Sequence, residues 1–390
     1  MTDSSKPSIA IVAHFAYGAM TGGVTGHIGG VERQTSLTAR WLTEQGYRVS
    51  LITWDEGQQD GDVVDGVRLI KMCRQDAGFP GLRFFHPRWS SLNQALARAD
   101  ADVYYQNCAE YVTGQVAMWC KRHQKRFVYT IANDPDVDPN LPDMHTVRER
   151  VLYRYGLRHA DDIVVQTQTQ RQTLRNGFGL DSTVIPMPCP DLLEAGESLP
   201  DAPDPRKQSI LWIARLCKQK RPDRYLDLAT ACPEFQFDLV GPYGDDAYCS
   251  EVIARAKTIP NVKVWGGIER AKVGELYRNA ACLCSTSDFE GFPNTFLEAW
   301  SLGIPLVTTF DPDGLVASKN LGRTAADVDT LAGGLREMLG SADAWLKASR
   351  NARSYYENNH TVEAVLPRFE AVFFDSPTPT HAAAGKVLHA

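Results

Sequence analysis

The sequence predicts an α/β protein built from two doubly wound domains. Three observations carry that expectation. Short apolar runs alternate with helical patterns along most of the chain, the mark of a parallel sheet covered on both faces. The alternation breaks at a polar stretch, Leu193 to Gln208, that carries Pro200, Pro203 and Pro205, and then restarts. At 390 residues the chain is also long enough for two domains of ordinary size. The expected division is a first domain at 1–192, a linker at 193–208 and a second domain at 209–360. A C-terminal helix at 361–376 is expected to pack back on the first domain, ahead of a disordered tail at 377–390. Two doubly wound sheets in tandem, facing each other, put a ligand cleft between the carboxyl ends of their strands.

The elements follow in order. Ser8 to Ala16 reads as a first strand and leads into a glycine-rich loop ending at Gly29-Gly30. Val31 to Gln45 has the helical period and is stopped by Gly46. Tyr47 to Trp54 is the next strand, and Val63 to Cys73 reads as a hairpin. Helices are expected near Ser90 to Ala99, Thr113 to His123 and His145 to Arg158. Strands are expected near Val103 to Gln106, Phe127 to Ile131 and Ile163 to Gln166. After the linker, strands fall at Ile210 to Ile213, Phe235 to Val240, Val262 to Trp265 and Ala281 to Ser285. Helices lie between them, near Pro222 to Ala231, Asp245 to Lys257 and Ala271 to Asn279. From Asp327 to Phe374 the pattern is mostly helical.

Composition narrows the function classes. With 43% hydrophobic and 23% charged residues, the chain is of ordinary globular type. A formal charge of −6 argues against a general nucleic-acid binder, which would be basic. The opening MTDSSKPS has no apolar signal core, and no stretch approaches a membrane span, so a cytoplasmic location is expected. The nine cysteines include no Cys-x-x-Cys pair, which argues against a zinc site or disulfide framework.

Chemistry concentrates between Ser287 and Thr309, SDFEGFPNTFLEAWSLGIPLVTT, which reads as loop, short helix and strand. Pro293 suits the first helical position, Gly303 the position just past the helix end, and Ile304 to Thr309 a buried strand. A helix start offers unpaired N–H groups to phosphate, and Gly291 lets backbone approach a ligand. Asn294, Thr295 and Glu298 share a helix face. Glu298 lies about 7 Å along the axis from Pro293, near the span from a distal phosphate back to a ribose. An ionised carboxylate accepts two hydrogen bonds and so suits a vicinal diol. Glu298 is therefore expected on ribose hydroxyls and Glu290 on a sugar beyond the phosphates. The competing reading is an ordinary loop–helix–strand unit with two solvated glutamates. Arg215 and Lys220, in IARLCKQKRP after the first strand of the second domain, form a cation pair suited to a diphosphate, or a solvated basic loop. Gly29-Gly30, between strand and helix, is compatible with phosphate but is not a dinucleotide fingerprint.

Glu-x7-Glu followed by Ala-x3-Gly-x-Pro and an apolar strand resembles the donor-site signature of the retaining glycosyltransferases of family GT4, which have the two-domain GT-B fold. Gly29-Gly30-Val31-Glu32-Arg33, Arg-Leu-x3-Lys at Arg215 to Lys220, LVGPYG, NVKVWGGI and LYRNA match family features in order. The resemblance covers most of the second domain and is patchier in the first. It implies catalytic roles for Arg215, Lys220 and Glu290, and a donor site of Gly29, Gly30, Gly291, Phe292, Asn294, Thr295 and Glu298. It implies a UDP or GDP sugar as co-substrate and a glycan or glycolipid as acceptor, with no cofactor, no metal and no nucleic acid. The chain departs from the pattern on the acceptor side. Where many members carry a histidine it has Ala132-Asn133-Asp134, so Asn133 and Asp134 are the substitutes expected there. The common Asn-Gly-Val-Asp before the linker is replaced by Met187-Pro188-Cys189-Pro190.

Two further features have a functional and a plain reading. DPDVD, Asp134 to Asp138, contains Asp-x-Asp, but Pro139 and His145 stand where a calcium loop needs glycine and glutamate, which favours a polar loop. Arg148, Arg150, Arg154 and Arg158 stud a helix that either lies on an anionic membrane or is a core helix with a solvated face. The expected activity is transfer of a hexose, retaining and metal-independent, in surface polysaccharide or glycolipid synthesis. A sugar-nucleotide epimerase on the same architecture and a non-catalytic sugar-nucleotide-binding protein are the alternatives.

Overall fold

The computed structural model describes residues 6–22, 29–204, 207–244 and 246–375. The tail expected to be disordered at 377–390 and the centre of the glycine-rich loop at 23–28 lie outside the described residues. The chain divides into two compact units. Unit 1 comprises Met1–Gln166, Gln170–Ile185 and Leu366–Ala390, and unit 2 comprises Thr167–Thr169 and Pro186–Val365.

The sheet of unit 1 holds β1 (Ser8–Val12), β2 (Arg48–Thr53), β3 (Val63–Val64), β4 (Val67–Lys71), β5 (Val103–Asn107), β6 (Arg126–Thr130), β7 (Asp162–Val165) and β8 (Thr183–Val184). Their order is β3-β4-β2-β1-β5-β6-β7-β8, and β3 with β4 is the antiparallel pair, so that hairpin forms the sheet edge. β1 pairs in parallel with β2 on one side and β5 on the other, so strand order reverses between β1 and β5. Ile9, Ala10 and Ile11 are fully buried there, as the unbroken apolar run requires of a strand covered on both faces.

The helices of unit 1 are α1 (Tyr17–Thr21), α2 (Gly30–Glu44), α3 (Ser90–Ala99), α4 (Tyr111–His123), α5 (Val147–His159) and α6 (Gln168–Phe178). α1 occupies part of the stretch expected to be loop. α6 is not signalled by the sequence because its apolar stripe is thin: in QTQRQTLRNGF only Gln170 and Leu174 are buried. α4 and α5 cross closely through Gly114 and Gly156. A Cβ on Gly114 would lie 2.2 Å from the Leu152 carbonyl oxygen, so any side chain would drive the helices apart. α5 buries Leu152, Tyr153, Gly156 and Leu157 and leaves Val147, Arg148, Val151 and Arg158 exposed.

Unit 2 holds β9 (Ser209–Ile213), β10 (Gln236–Val240), β11 (Val262–Gly266), β12 (Ala280–Ser285), β13 (Leu306–Thr308) and β14 (Gly322–Thr324). Their order, β11-β10-β9-β12-β13-β14, is parallel throughout and reverses between β9 and β12. The helices are α7 (Pro222–Ala231), α8 (Ala247–Ala256), α9 (Arg270–Arg278), α10 (Asn294–Ser301), α11 (Leu315–Ser318), α12 (Val328–Leu339) and α13 (Ala342–Asn359). The last helix, α14 (Val362–Phe374), contributes Leu366 onward to unit 1. There Tyr47 donates to Glu370 at 2.6 Å, and Arg126 donates to the Val372 carbonyl at 3.0 Å while pairing with Asp162.

Gly241, at the carboxyl end of β10, has φ +148°, and a Cβ there would sit 1.7 Å from the Ala214 carbonyl oxygen. Only glycine lets the β9 and β10 loops approach this closely. Pro293 corrects the sequence reading by one position: with ψ 120° it is the residue before the helix, and Asn294 is the first helical residue. Gly303, at φ +68°, stands just past the helix end as expected.

Candidate active site

In unit 2 the candidate residues gather where the strand order reverses, at the carboxyl ends of β9 and β12. That is the place where an open parallel sheet leaves a crevice for a ligand. Two loops meet there, and backbone and side chains lace them together. The Asp288 N–H donates to the Gln219 carbonyl, and the Gln219 amide donates to the Phe289 carbonyl, both at 2.9 Å. The Thr286 hydroxyl is within 3.0 Å of the Lys220 carbonyl and 2.8 Å of the Arg221 carbonyl. Asp288 takes Arg224 at 2.8 Å and Arg221 at 3.3 Å, and Arg221 also clasps Asp223. Arg221 is therefore committed to holding the loop.

This lacing fixes the position of Lys220. Its ammonium pairs with Glu290 Oε1, which also accepts the Ser287 hydroxyl at 2.7 Å. Glu290 is only 8% exposed, and a carboxylate so buried needs both a cation and a hydrogen bond to offset its lost hydration. The sequence reading assigned Lys220 to phosphate and Glu290 to sugar as separate groups. The fold makes them one cluster, with Arg215 exposed at the end of the same strand.

Glu298 sits on α10 among Phe296, Leu297, Ala299 and Trp300, all buried. It is 5% exposed, and the fully buried Tyr277 donates to its Oε2 at 2.9 Å. Neither glutamate is a solvated surface residue. Asn294 and Thr295 are half-buried in the first turn of α10. Gly291 and Phe292 are buried, and the Phe292 ring packs on Trp300 and His360 with centroids 6.0 and 5.0 Å away.

Sequence reasoning missed Ser287, Tyr277 and His360. Ser287 and Tyr277 act through partners that pattern alone does not reveal. His360 is fully buried; its Nδ1 lies 2.8 Å from the Met187 carbonyl, and its own carbonyl accepts the Cys189 N–H at 2.8 Å. Burial pushes its pKa down to about 4. Met187 to Cys189, where the chain departs from the family pattern, is thus strapped to the end of α13, and Met187 and Cys189 share a core cluster with Phe292.

Unit 1 has its own reversal between β1 and β5, and a cavity of about 250 Å³ opens there. His14, Gly29, Gly30, Glu32, Asn107 and Glu110 are among its lining residues. Asn133 and Asp134 do local work. Asn133 accepts the Asp134 N–H at 3.1 Å, and Asp134 accepts from Gln170 at 3.0 Å. Asp136 of the DPDVD segment is buried, and desolvation pushes its carboxyl up to about 7. Among the described residues no three His, Cys, Asp or Glu side chains gather into a group suited to a metal.

Residues 29–189 match the family model of the glycosyl transferase 4-like domain, and residues 200–354 match that of glycosyl transferases group 1. The chain belongs to the group 1 glycosyltransferases. It is 27% identical over 163 residues to the GtfA subunit of the UDP-N-acetylglucosamine–peptide N-acetylglucosaminyltransferase of Streptococcus pneumoniae, a match over 40% of this chain and 32% of that one. It is 35% identical over 106 residues to the lipopolysaccharide 1,6-galactosyltransferase of Salmonella typhimurium, over 26% of this chain and 29% of that one. The chain spans about a third of the length of the curated relatives it matches (32%, 40% and 29%). Among solved structures, sucrose-phosphate synthase from Thermosynechococcus elongatus is similar with a TM-score of 0.77 at 18% identity, covering 94% of this chain and 98% of that one. At that identity the likeness shows the fold, GT-B. No helix among the described residues is long and apolar enough to cross a membrane.

Proposed function

We propose that this group 1 glycosyltransferase moves a hexose from a nucleoside-diphosphate sugar to an acceptor hydroxyl with retention at the anomeric carbon and without a metal ion. The observation that carries the reading is the Lys220–Glu290–Ser287 cluster, five residues after Arg215 at the Lys220 end, with the buried Glu298 eight residues past Glu290. Arg215, Lys220 and the start of α10 offset the charge that develops on the departing diphosphate. Glu298, held by Tyr277, takes the ribose hydroxyls, and Glu290 takes sugar hydroxyls. Gly291, Asn294 and Thr295 line the phosphates, while buried Phe292 keeps that loop in place. Gly29 and Gly30 are given to the donor by the family resemblance alone, and Asn133 and Asp134 to the acceptor on the same ground.

A UDP sugar is the favoured donor over a GDP sugar, because the Streptococcus pneumoniae relative is named for UDP-N-acetylglucosamine. Surface polysaccharide or glycolipid is the favoured product class, since the Salmonella relative is named for lipopolysaccharide. A cytoplasmic site with peripheral membrane contact fits an exposed apolar set on unit 1. Phe79, Leu82, Phe85, Val147 and Val151 are each more than half exposed, and Arg148 lies 3.9 Å over the Phe84 ring, which joins the two segments. Flotation with phosphatidylglycerol vesicles tests this contact; it should fail for Leu82→Asp with Val151→Asp, and equal flotation would remove the membrane from the account.

The direct test of the activity follows nucleoside-diphosphate release from UDP and GDP sugars in excess EDTA, with the product anomer read by NMR. Release with a retained anomer is expected. Activity lost to chelator and restored by Mg2+, or an inverted product, would overturn the mechanism. Conversion of the donor sugar without any diphosphate release would favour the epimerase reading, and binding without any turnover the non-catalytic one.

A further inference from the structure

Behind the candidate site of unit 2 lie two buried nitrogens that the fold leaves without a partner. Trp300 Nε1 and His360 Nε2 make no hydrogen bond among the described residues, and both residues are fully buried. They belong to one group of rings. Trp300 and His360 have centroids 6.2 Å apart. Phe292 lies 6.0 Å from the first and 5.0 Å from the second, and Tyr355 lies 5.4 Å from each. A buried polar atom left unpaired keeps the full penalty of its lost hydration, so two in one group of rings point to something between them.

The two atoms are of opposite sense. An indole Nε1 only donates. His360 Nδ1 lies 2.8 Å from the Met187 carbonyl, which only accepts. In the neutral imidazole Nδ1 therefore carries the hydrogen and Nε2 presents a lone pair. Burial keeps the ring neutral by pushing its pKa down to about 4. A group between the two must accept from Trp300 and donate to His360, and one water does both. Two hydrogen bonds of about 2.9 Å span up to roughly 5.8 Å between nitrogens, in keeping with rings centred 6.2 Å apart. Complete burial of both residues closes the place to any larger solute.

The water extends a connection that His360 already makes. Its own N–H donates to the Tyr356 carbonyl at 2.8 Å, which fixes it at the end of α13. Its carbonyl and Nδ1 hold Cys189 and Met187. Its ring packs on Phe292, two residues past Glu290. Through the water it reaches Trp300, two residues past Glu298 on α10. One side chain thus backs both elements that carry the buried carboxylates.

We propose that His360 is a positioning residue of the donor site, acting on Phe292 by contact and on α10 through a buried water shared with Trp300. The proposal rests on the donor reading of Glu290 and Glu298. His360 touches no substrate. It holds the loop at 290–292 and the start of α10 in order before the donor arrives. Without it that ordering falls to the binding step, and affinity drops. Bound donor then restores the arrangement, so turnover at saturation changes little.

NMR of the imidazole nitrogens and calorimetry with UDP, both on the full chain, test it. Wild type should show His360 as the Nδ1–H tautomer; the Nε2–H tautomer would overturn the proposal. His360→Phe and Trp300→Phe should each weaken UDP about tenfold, the equivalent of one lost hydrogen bond. KM for a UDP sugar should rise by the same factor, with kcat within about twofold. One shared water makes the losses overlap, so the double variant should lose about tenfold rather than a hundredfold. His360→Gln, which keeps a donor for Met187 and an acceptor for the water, should bind UDP within about threefold of wild type. Trp300→Phe leaves the Met187 contact intact and carries the test if His360→Phe does not fold. Unchanged UDP affinity in both Phe variants, a fall confined to kcat, a hundredfold loss in the double variant, or a Gln variant as weak as His360→Phe would each overturn the proposal. If wild type binds UDP and the Phe variants bind it equally well, this proposal alone fails. If wild type binds neither UDP nor GDP, the donor reading fails with it.

Discussion

Pairing of Lys220 with Glu290 makes a quantitative demand on a double-mutant cycle. Lys220→Ala removes a charge that meets the departing diphosphate, at a cost of about 2–4 kcal/mol in kcat/KM by comparison with the loss of one oxyanion donor. That corresponds to roughly 30- to 1,000-fold in rate. It also leaves a carboxylate that is 8% exposed with the Ser287 hydroxyl as its remaining named partner. Part of the damage thus comes from the glutamate left behind. Glu290→Ala costs a comparable amount and frees the ammonium. If the two residues acted independently of each other, their effects would add, to roughly 10³–10⁶-fold for the double variant. Because they form one cluster, the double variant should fall short of that sum by a coupling of about 1–3 kcal/mol. In urea titration the double variant should likewise be more stable than Lys220→Ala alone, since no buried charge is left uncompensated. The assay is initial nucleoside-diphosphate release for wild type, both single variants and the double. Additivity within about 0.5 kcal/mol would refute the pairing as the working arrangement.

Much of the architecture could be read in advance because the apolar strands are continuous and the breaks between them carry glycine and proline. The parallel order of unit 2 follows from helices separating Ile210, Phe237, Val264 and Leu283. What escaped was weakly patterned. α6 buries only two residues, and α1 is five residues long. Around the candidate site, Glu290, Glu298, Arg215 and Lys220 stood out because charges at strand ends and on an apolar helix are conspicuous. Their partners did not. Ser287 is an ordinary loop serine until Glu290 is folded beside it, and Tyr277 lies 21 positions from Glu298. His360 is separated from Met187 by 173 positions, and no local spacing signals that contact. The same holds for His14 with Glu110, whose pairing depends on β1 and β5 being neighbours.

Two further outcomes follow from packing. His360 has its pKa lowered from 6.5 to about 4 by burial, so between those values the unfolded chain binds the extra proton and stability falls as pH falls. Unfolding by urea should show about 2 kcal/mol lost from this residue between pH 7 and pH 5, and His360→Phe should flatten that slope by the same amount; an unchanged slope would contradict it. Gly241→Ala places a Cβ 1.7 Å from a carbonyl oxygen at φ +148°, which should cost on the order of 3 kcal/mol and lower the melting temperature of unit 2 by roughly 10 °C. Calorimetric melting within a degree of wild type would show that the β9 and β10 loops are not held as described.

The division of labour between the two buried carboxylates is the centre of the account, and isothermal titration calorimetry with UDP and with a UDP sugar tests it most directly. Glu298→Ala removes the proposed ribose contact, common to both ligands, and should weaken both by a similar factor of about ten or more. Glu290→Ala removes the sugar contact and at the same time releases Lys220 for the diphosphate. The UDP sugar should then bind about tenfold or more weakly, while UDP itself binds as well as to wild type or better. Equal losses for UDP and the UDP sugar in the Glu290 variant would contradict the assignment.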